Sequence, residues 1–139
     1  MPIHERLLAD THSLGKFDVC RLLLHRNAVV PWMILVPDRI ETELLELPRT
    51  VRETVLDESA RVAAFVQSHF GSPKINFAAI GNIVPQLHLH VVGRDPTDIC
   101  WPAPVWGNLT EERSYPTVEL ESITAQLTAS YDLLYYAGN

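Results

Sequence analysis

Pro85-Gln86-Leu87-His88-Leu89-His90-Val91-Val92 is the stretch on which the reading of this chain turns. A strand repeats every two residues, so His88 and His90 fall on one face and Leu87, Leu89 and Val91 on the other. The apolar face belongs against a core. The imidazole face is costly as scaffolding alone, because Val, Ile or Thr would fill a strand with fewer polar groups to satisfy. The second face is therefore expected to carry a site.

Gly81-Asn82-Ile83-Val84 leads through Pro85 into that strand, and its main-chain amides can face whatever the histidines face. Ile75 to Ile80 reads as a neighbouring strand. Upstream, Thr50-Val51-Arg52-Glu53 has the spacing of a capping box. Val51, Val55, Val62, Val66 and Phe70 follow at helical steps with a gap at Ser59, and Gly71 supplies a stop. This spacing predicts one long helix whose apolar stripe covers a sheet. Phe17 to His25 and Trp32 to Val36, the latter bracketed by Pro31 and Pro37, are expected as an antiparallel pair joined at Arg26 to Val30.

Beyond Arg94, Trp101-Pro102-Ala103-Pro104-Val105-Trp106-Gly107 has too much proline for a helix or an interior strand. An ordered flap is expected there, whose Trp101 and Trp106 either close the site or, as the favoured use, pack on the body. A last helix is expected from about Val118 to Tyr136, with Leu120, Ile123, Leu127, Tyr131 and Leu134 on one side. Strands, a helix, strands again and a closing helix indicate an α+β fold with an antiparallel sheet.

The 139 residues suit one domain, with a core over about 17–94 and a Pro/Trp segment plus helix over 95–139. With 47% apolar and 20% charged residues the composition is that of a globular, soluble protein. Its apolar runs are far too short to span a bilayer, and Met1 to Asp10 lacks the pattern of a signal peptide, so a cytoplasmic location is expected. Eleven basic against seventeen acidic residues give a net charge of −6, which argues against a nucleic-acid polymer as partner but not against a single nucleotide. Cys20 and Cys100 stand alone, outside any CxxC pairing, and are expected as small buried or half-buried residues.

Three uses are open to His88 and His90. They can ligate a metal, although no third ligand lies near them except Asp95. They can act as nucleophile and hydrogen-bonding partner, since imidazole keeps a neutral nitrogen at pH 7. They can also be ordinary, satisfied histidines. His4, His12 and His69 carry no signal.

Gln86-Leu87-His88-Leu89-His90-Val91-Val92 resembles the histidine triad (HIT) motif, His-φ-His-φ-His-φ-φ with φ apolar, with glutamine in the first triad position. The similarity extends to Arg26 through Pro37, where a proline-bearing turn leads into a strand, and to Asn76 and Gly81 through Pro85, which resemble a run found in small bacterial members. The resemblance implies a HIT-like fold with about five strands and, usually, a homodimer. It also implies cleavage at the α-phosphate of a nucleoside phosphoramidate, a dinucleoside polyphosphate or a related adenylylated compound.

Carried over by position, His88 is the nucleophile and His90 the donor to phosphate oxygens or to the leaving group. Asn76, Asn82 and the amides of Asn82 to Val84 hold the phosphate, and His25 stands where the family contacts ribose. The scheme calls for no metal and no cofactor. Gln86 can orient the nucleophile's ring but cannot carry a proton. Met33 stands where the family often has a further histidine, and Ile83 where many members carry Ser or Thr. Contact between Met33 and Gln86 would explain both changes together. Two functions follow: a nucleotidyl hydrolase or transferase, or a nucleotide-binding regulatory module that has kept the pocket and lost turnover.

Overall fold

A computed structural model describes residues 1–135. Strands β1 (Thr11–Lys16), β2 (Cys20–His25), β3 (Trp32–Pro37), β4 (Lys74–Ala78) and β5 (Leu89–Arg94) form one antiparallel sheet in the order β1-β2-β3-β5-β4. Among the described residues three α-helices accompany them, α1 (Glu5–Ala9), α2 (Arg49–Phe70) and α3 (Thr117–Ser130), with one turn of 3-10 helix at Leu44–Glu46. None is long and apolar enough to cross a membrane.

Period-two alternation divides the side chains between two apolar clusters. Met33 and Leu35 of β3, with Leu89 and Val91 of β5, pack with Val55, Val62, Phe65 and Val66 of α2 and with Ile123 and Leu127 of α3. Trp32, Ile34 and Val36 face the other way, joining Val92, Ile3, Leu7 and Val105. The first face is sealed by helices. Among the described residues, the second is covered by the N-terminal segment, the Pro/Trp segment and Val84 of the loop before the motif. The flap expected from the prolines is thus ordered, with Val105 buried in this second cluster.

Two contacts fix the long helix to the sheet. The buried carboxylate of Glu58 accepts main-chain N–H groups from Val19 at 3.1 Å and Cys20 at 2.8 Å, which ties the β1–β2 turn to α2. Burial pushes the Glu58 carboxyl up from its ordinary pKa, against the opposing pull of these donors. At Gly93 a Cβ atom would run into Val66 and Ser72. Only glycine lets the helix approach β5 this closely at that point.

Several expected boundaries move. The strand expected over Phe17 to His25 begins at Cys20; Phe17 instead donates its N–H to the Cys20 carbonyl at 2.8 Å, closing a hairpin with β1. β1 was hidden because Thr11, His12 and Ser13 give little apolar alternation and a bulge at Ser13/Gly15 interrupts the period. α2 starts at Arg49 after Pro48, with no side-chain cap. The capping box does not form, and Glu53 pairs with Arg49 at 3.0 Å. Gly71 ends the helix in the left-handed conformation, as expected. Ser59, the gap in the stripe, is buried with its hydroxyl donated to the Val55 carbonyl.

The strands around the motif are also displaced from their expected bounds. β4 stops at Ala78, and β5 begins at Leu89, so His88 lies just ahead of the regular ladder. α3 ends at Ser130, where Asp132 takes a positive φ and Leu133 donates back to the Leu127 carbonyl. Leu134, expected on the helix, instead bridges to Lys16. Tyr136, the expected helix end, lies outside the described residues. Both cysteines are free, with Cys20 buried and Cys100 half-buried.

Candidate active site

Where the second cluster opens, a cavity of about 390 Å³ is lined by His88, His90, His25, Trp32, Trp106 and Asn82, with α1 and the loop around Ile80 to Val84 as walls. His88 and His90 lie together, as the alternation requires, with ring centroids 4.9 Å apart. Both are 7% exposed.

Hydrogen bonding fixes the tautomer of each ring. His88 Nδ1 lies 2.7 Å from the main-chain carbonyl oxygen of Gln86. A carbonyl can only accept, so Nδ1 carries the hydrogen and the free lone pair is on Nε2. The opposite holds at His90, where Trp32 Nε1–H donates to Nδ1 at 3.0 Å. Indole can only donate, so His90 carries its hydrogen on Nε2. One ring offers a nucleophilic lone pair and its neighbour offers an N–H.

Electrostatics keep the donor ring neutral. Burial, reinforced by the nearby His88 and His25, pushes the His90 pKa down to about 4. A protonated ring would also place a second hydrogen where the Trp32 N–H already points. His25 is likewise pushed down by burial, against the attraction of Asp10. Its ring stacks on Trp32 at 4.3 Å, making a flat platform on the cavity wall.

Loop residues complete the polar equipment. Among the described residues, the main-chain N–H groups of Gly81, Asn82, Ile83 and Val84 make no hydrogen bond within the protein. Such groups, fixed in direction by the fold, can stabilise charge developing on a phosphate. Ile83 is 72% exposed and brings no hydroxyl.

The other residues singled out in the sequence sit elsewhere. Asn76, on β4 beside Val92, does not line the cavity, and its Oδ1 accepts from Arg94 Nη1 at 3.0 Å. Arg94 is itself buried and held by Asp98 at 2.7 Å. The Gln86 side chain turns to the N-terminal segment, so what reaches the His88 ring is its main-chain carbonyl. Met33 lies in the helix-side cluster, on the opposite face from Trp32. Met33 and Gln86 do not meet, and the paired explanation of these two departures falls.

Two contributors were not legible in the sequence, Trp32 and the N-terminal wall. Trp32 was read only as a strand residue, although an indole N–H in an apolar run next to the motif strand was the available signal. Arg6 and Leu7 of α1 and its C-cap Asp10 line the cavity, and a five-residue helix leaves almost no periodic trace. The tryptophans of the flap divide: Trp106 lines the cavity, edge-on to His90 at 5.2 Å, while Trp101 lies under the Arg94 guanidinium at 5.5 Å.

Comparison with known proteins bears on this geometry. The HIT domain family matches residues 6–97. A histidine triad protein from Marinobacter aquaeolei VT8 is 40% identical, with 94% of this chain and 96% of that one covered and a TM-score of 0.85. A histidine triad protein from Sinorhizobium meliloti 1021 is 36% identical, over 91% and 94% of the two chains, at a TM-score of 0.84. One from Bradyrhizobium japonicum is 31% identical, over 94% and 97%, at 0.86. No curated protein matches the chain.

Proposed function

Because the chain belongs to the histidine triad family, we propose that it is a cytoplasmic nucleotidyl hydrolase or transferase working through His88. Its substrate is a nucleoside phosphoramidate or a dinucleoside polyphosphate, with adenosine as the expected nucleoside. The observation that carries this reading is the 2.7 Å bond from His88 Nδ1 to the Gln86 carbonyl, which commits the lone pair to Nε2 on a ring lining the cavity.

In the first step, His88 Nε2 attacks the α-phosphorus. The bond to the leaving nitrogen or oxygen breaks, and the leaving atom keeps the electron pair and takes a proton from solvent. His88 is then a phosphorus-bearing imidazolium, whose Nδ1–H remains on a carbonyl oxygen that favours positive charge. Water next attacks phosphorus and loses a proton to solvent, and the imidazole departs with its pair restored. One hard displacement is split into two easier ones. His90 is too weakly basic to be an acid reservoir at neutral pH, so its part is a fixed Nε2–H hydrogen bond to a phosphate oxygen or to the leaving group. The free amides of the loop and the side chain of Asn82 hold the remaining oxygens. The His25–Trp32 platform is offered to the nucleoside, with His25 at the ribose.

Mass spectrometry after incubation with an adenosine phosphoramidate tests the reading. The expected result is a nucleotide mass on His88 together with released mononucleotide, and at least about a thousandfold loss of turnover in His88→Ala. Nucleotide binding without adduct or product, with no rate change in His88→Ala, would leave the regulatory module as the function. We also propose a homodimer, from family membership. Sedimentation should then give twice the 15.7 kDa of the chain.

A further inference from the structure

We propose that Gln86, standing where the triad's first histidine would be, is a positioning residue that latches the N-terminal wall of the cavity to the nucleophile and so sets substrate affinity. The affinity claim rests on the reading of the cavity as a nucleotide site. The latch itself rests on hydrogen bonds alone.

The carboxamide uses its acceptor and one of its donors on one short stretch of main chain. Gln86 Oε1 accepts the His4 N–H at 2.8 Å, and Nε2 donates to the Pro2 carbonyl at 3.1 Å. These two groups flank Ile3 and point to the same edge of an extended segment, so the amide plane of glutamine meets them as a neighbouring strand would. An imidazole cannot copy this pairing, because its two ring nitrogens point in divergent directions. Ile3, held between them, is 5% exposed in the second cluster.

The latched segment is where α1 begins. His4 Nδ1 accepts the Arg6 N–H at 3.1 Å, and its carbonyl accepts from Leu7 at 3.0 Å and Leu8 at 3.2 Å. A helix of five residues has little stability of its own. Its position therefore depends on anchors, among them the burial of Ile3 and Leu7, the Met1 ammonium on Asp38, the Thr11 hydroxyl on the Leu7 carbonyl and the grip of Gln86. α1 in turn presents Leu7, and its C-cap Asp10, to the cavity. At its other end Gln86 holds His88 by the main chain. One residue thus grips the wall with its side chain and the nucleophile with its backbone.

The test uses the full chain with Gln86→Met, which keeps length and loses both side-chain bonds, and Gln86→Glu, which keeps the acceptor for His4 and loses the donor to Pro2. Hydrogen exchange is read on ligand-free protein, and KM and kcat on a nucleoside phosphoramidate. In Gln86→Met, exchange at the His4 amide should quicken roughly tenfold. KM should rise about tenfold, with a smaller fall in kcat. Gln86→Glu should recover part of both effects. Unchanged exchange in Gln86→Met overturns the latch. A fall in kcat at constant KM overturns the affinity role and returns the side chain to the chemistry. Wild-type protein that binds no nucleotide overturns the affinity claim together with the reading beneath it, and is told apart from failure of the latch by the exchange rates.

Discussion

The two faces of the sheet are built from the same strands and held in different ways. On the helix side, Leu89 and Val91 meet Phe65 and Val66 in a closed apolar layer. On the other side, His88 and His90 meet two tryptophans and a cavity whose cover is a short helix and a proline-rich segment. The closed apolar layer lies on the first face, and the proposed chemistry is assigned to the second. A substitution on one should leave the other's property largely intact.

Phe65→Ala gives the largest break in that comparison. The side chain has no exposed surface and packs at the centre of the helix-side layer, so its loss should cost about 3–5 kcal/mol in a urea titration. The molecules that remain folded should still bind nucleotide with wild-type affinity. A matching loss of affinity would show that the two faces are not separable.

The pH dependence of stability is a smaller effect, and it comes from the other face. His90 is held at about 4 in the folded protein by burial and by its histidine neighbours, against about 6.5 when unfolded. As pH falls through 6.5 the unfolded chain takes up this proton first. Stability is therefore full above that value and is lost as pH drops towards 4, by up to about 3 kcal/mol. Glu58, pushed the other way by burial, opposes the trend. Urea unfolding at pH 7.5 and pH 4.5 should show the His90 share as the part that disappears in His90→Asn. An equal slope in both proteins would contradict the neutral ring.

Trp32→Phe sharpens the comparison with the smallest change. It keeps an aromatic, though smaller, ring on the cavity wall and removes the N–H that fixes the His90 tautomer. Nitrogen chemical shifts of the His90 ring should then report a mixture of tautomers in place of the Nε2–H form. The kcat should fall about tenfold, the size expected for one hydrogen bond. A ring that stays wholly in the Nε2–H form would mean that Trp32 is not what holds it.

How much was legible in the sequence follows the same division. Alternation in Leu87 to Val92 correctly put two histidines opposite three apolar residues, and the valine spacing with Gly71 gave the long helix, because burial on one side leaves a period. α1 and β1 left none. Glu5 to Ala9 spans little more than one turn, and Thr11 to Ser13 are polar on a strand whose partner supplies most of the apolar surface. Within the site, His88, His90 and Asn82 follow from their positions in and beside the motif and His25 from the family resemblance, and all four line the cavity. The destinations of Asn76 and Gln86 could not be read, since both carboxamides are taken by distant partners, Arg94 in one case and main chain 82 to 84 residues away in the other.

Gly93 gives the helix-side face a bearing on the chemistry after all. It is the point where β5 passes under Val66 and Ser72 with no room for a side chain. Sliding the strand by two residues in either direction would preserve which side chains face the helix but would push Val91 or Asp95 into that gap. The bare position acts as a detent, a notch that lets the strand seat at one setting along its length. His88 sits five residues upstream, joined directly to the start of that strand, so its place on the cavity wall is set in part from the far side of the sheet.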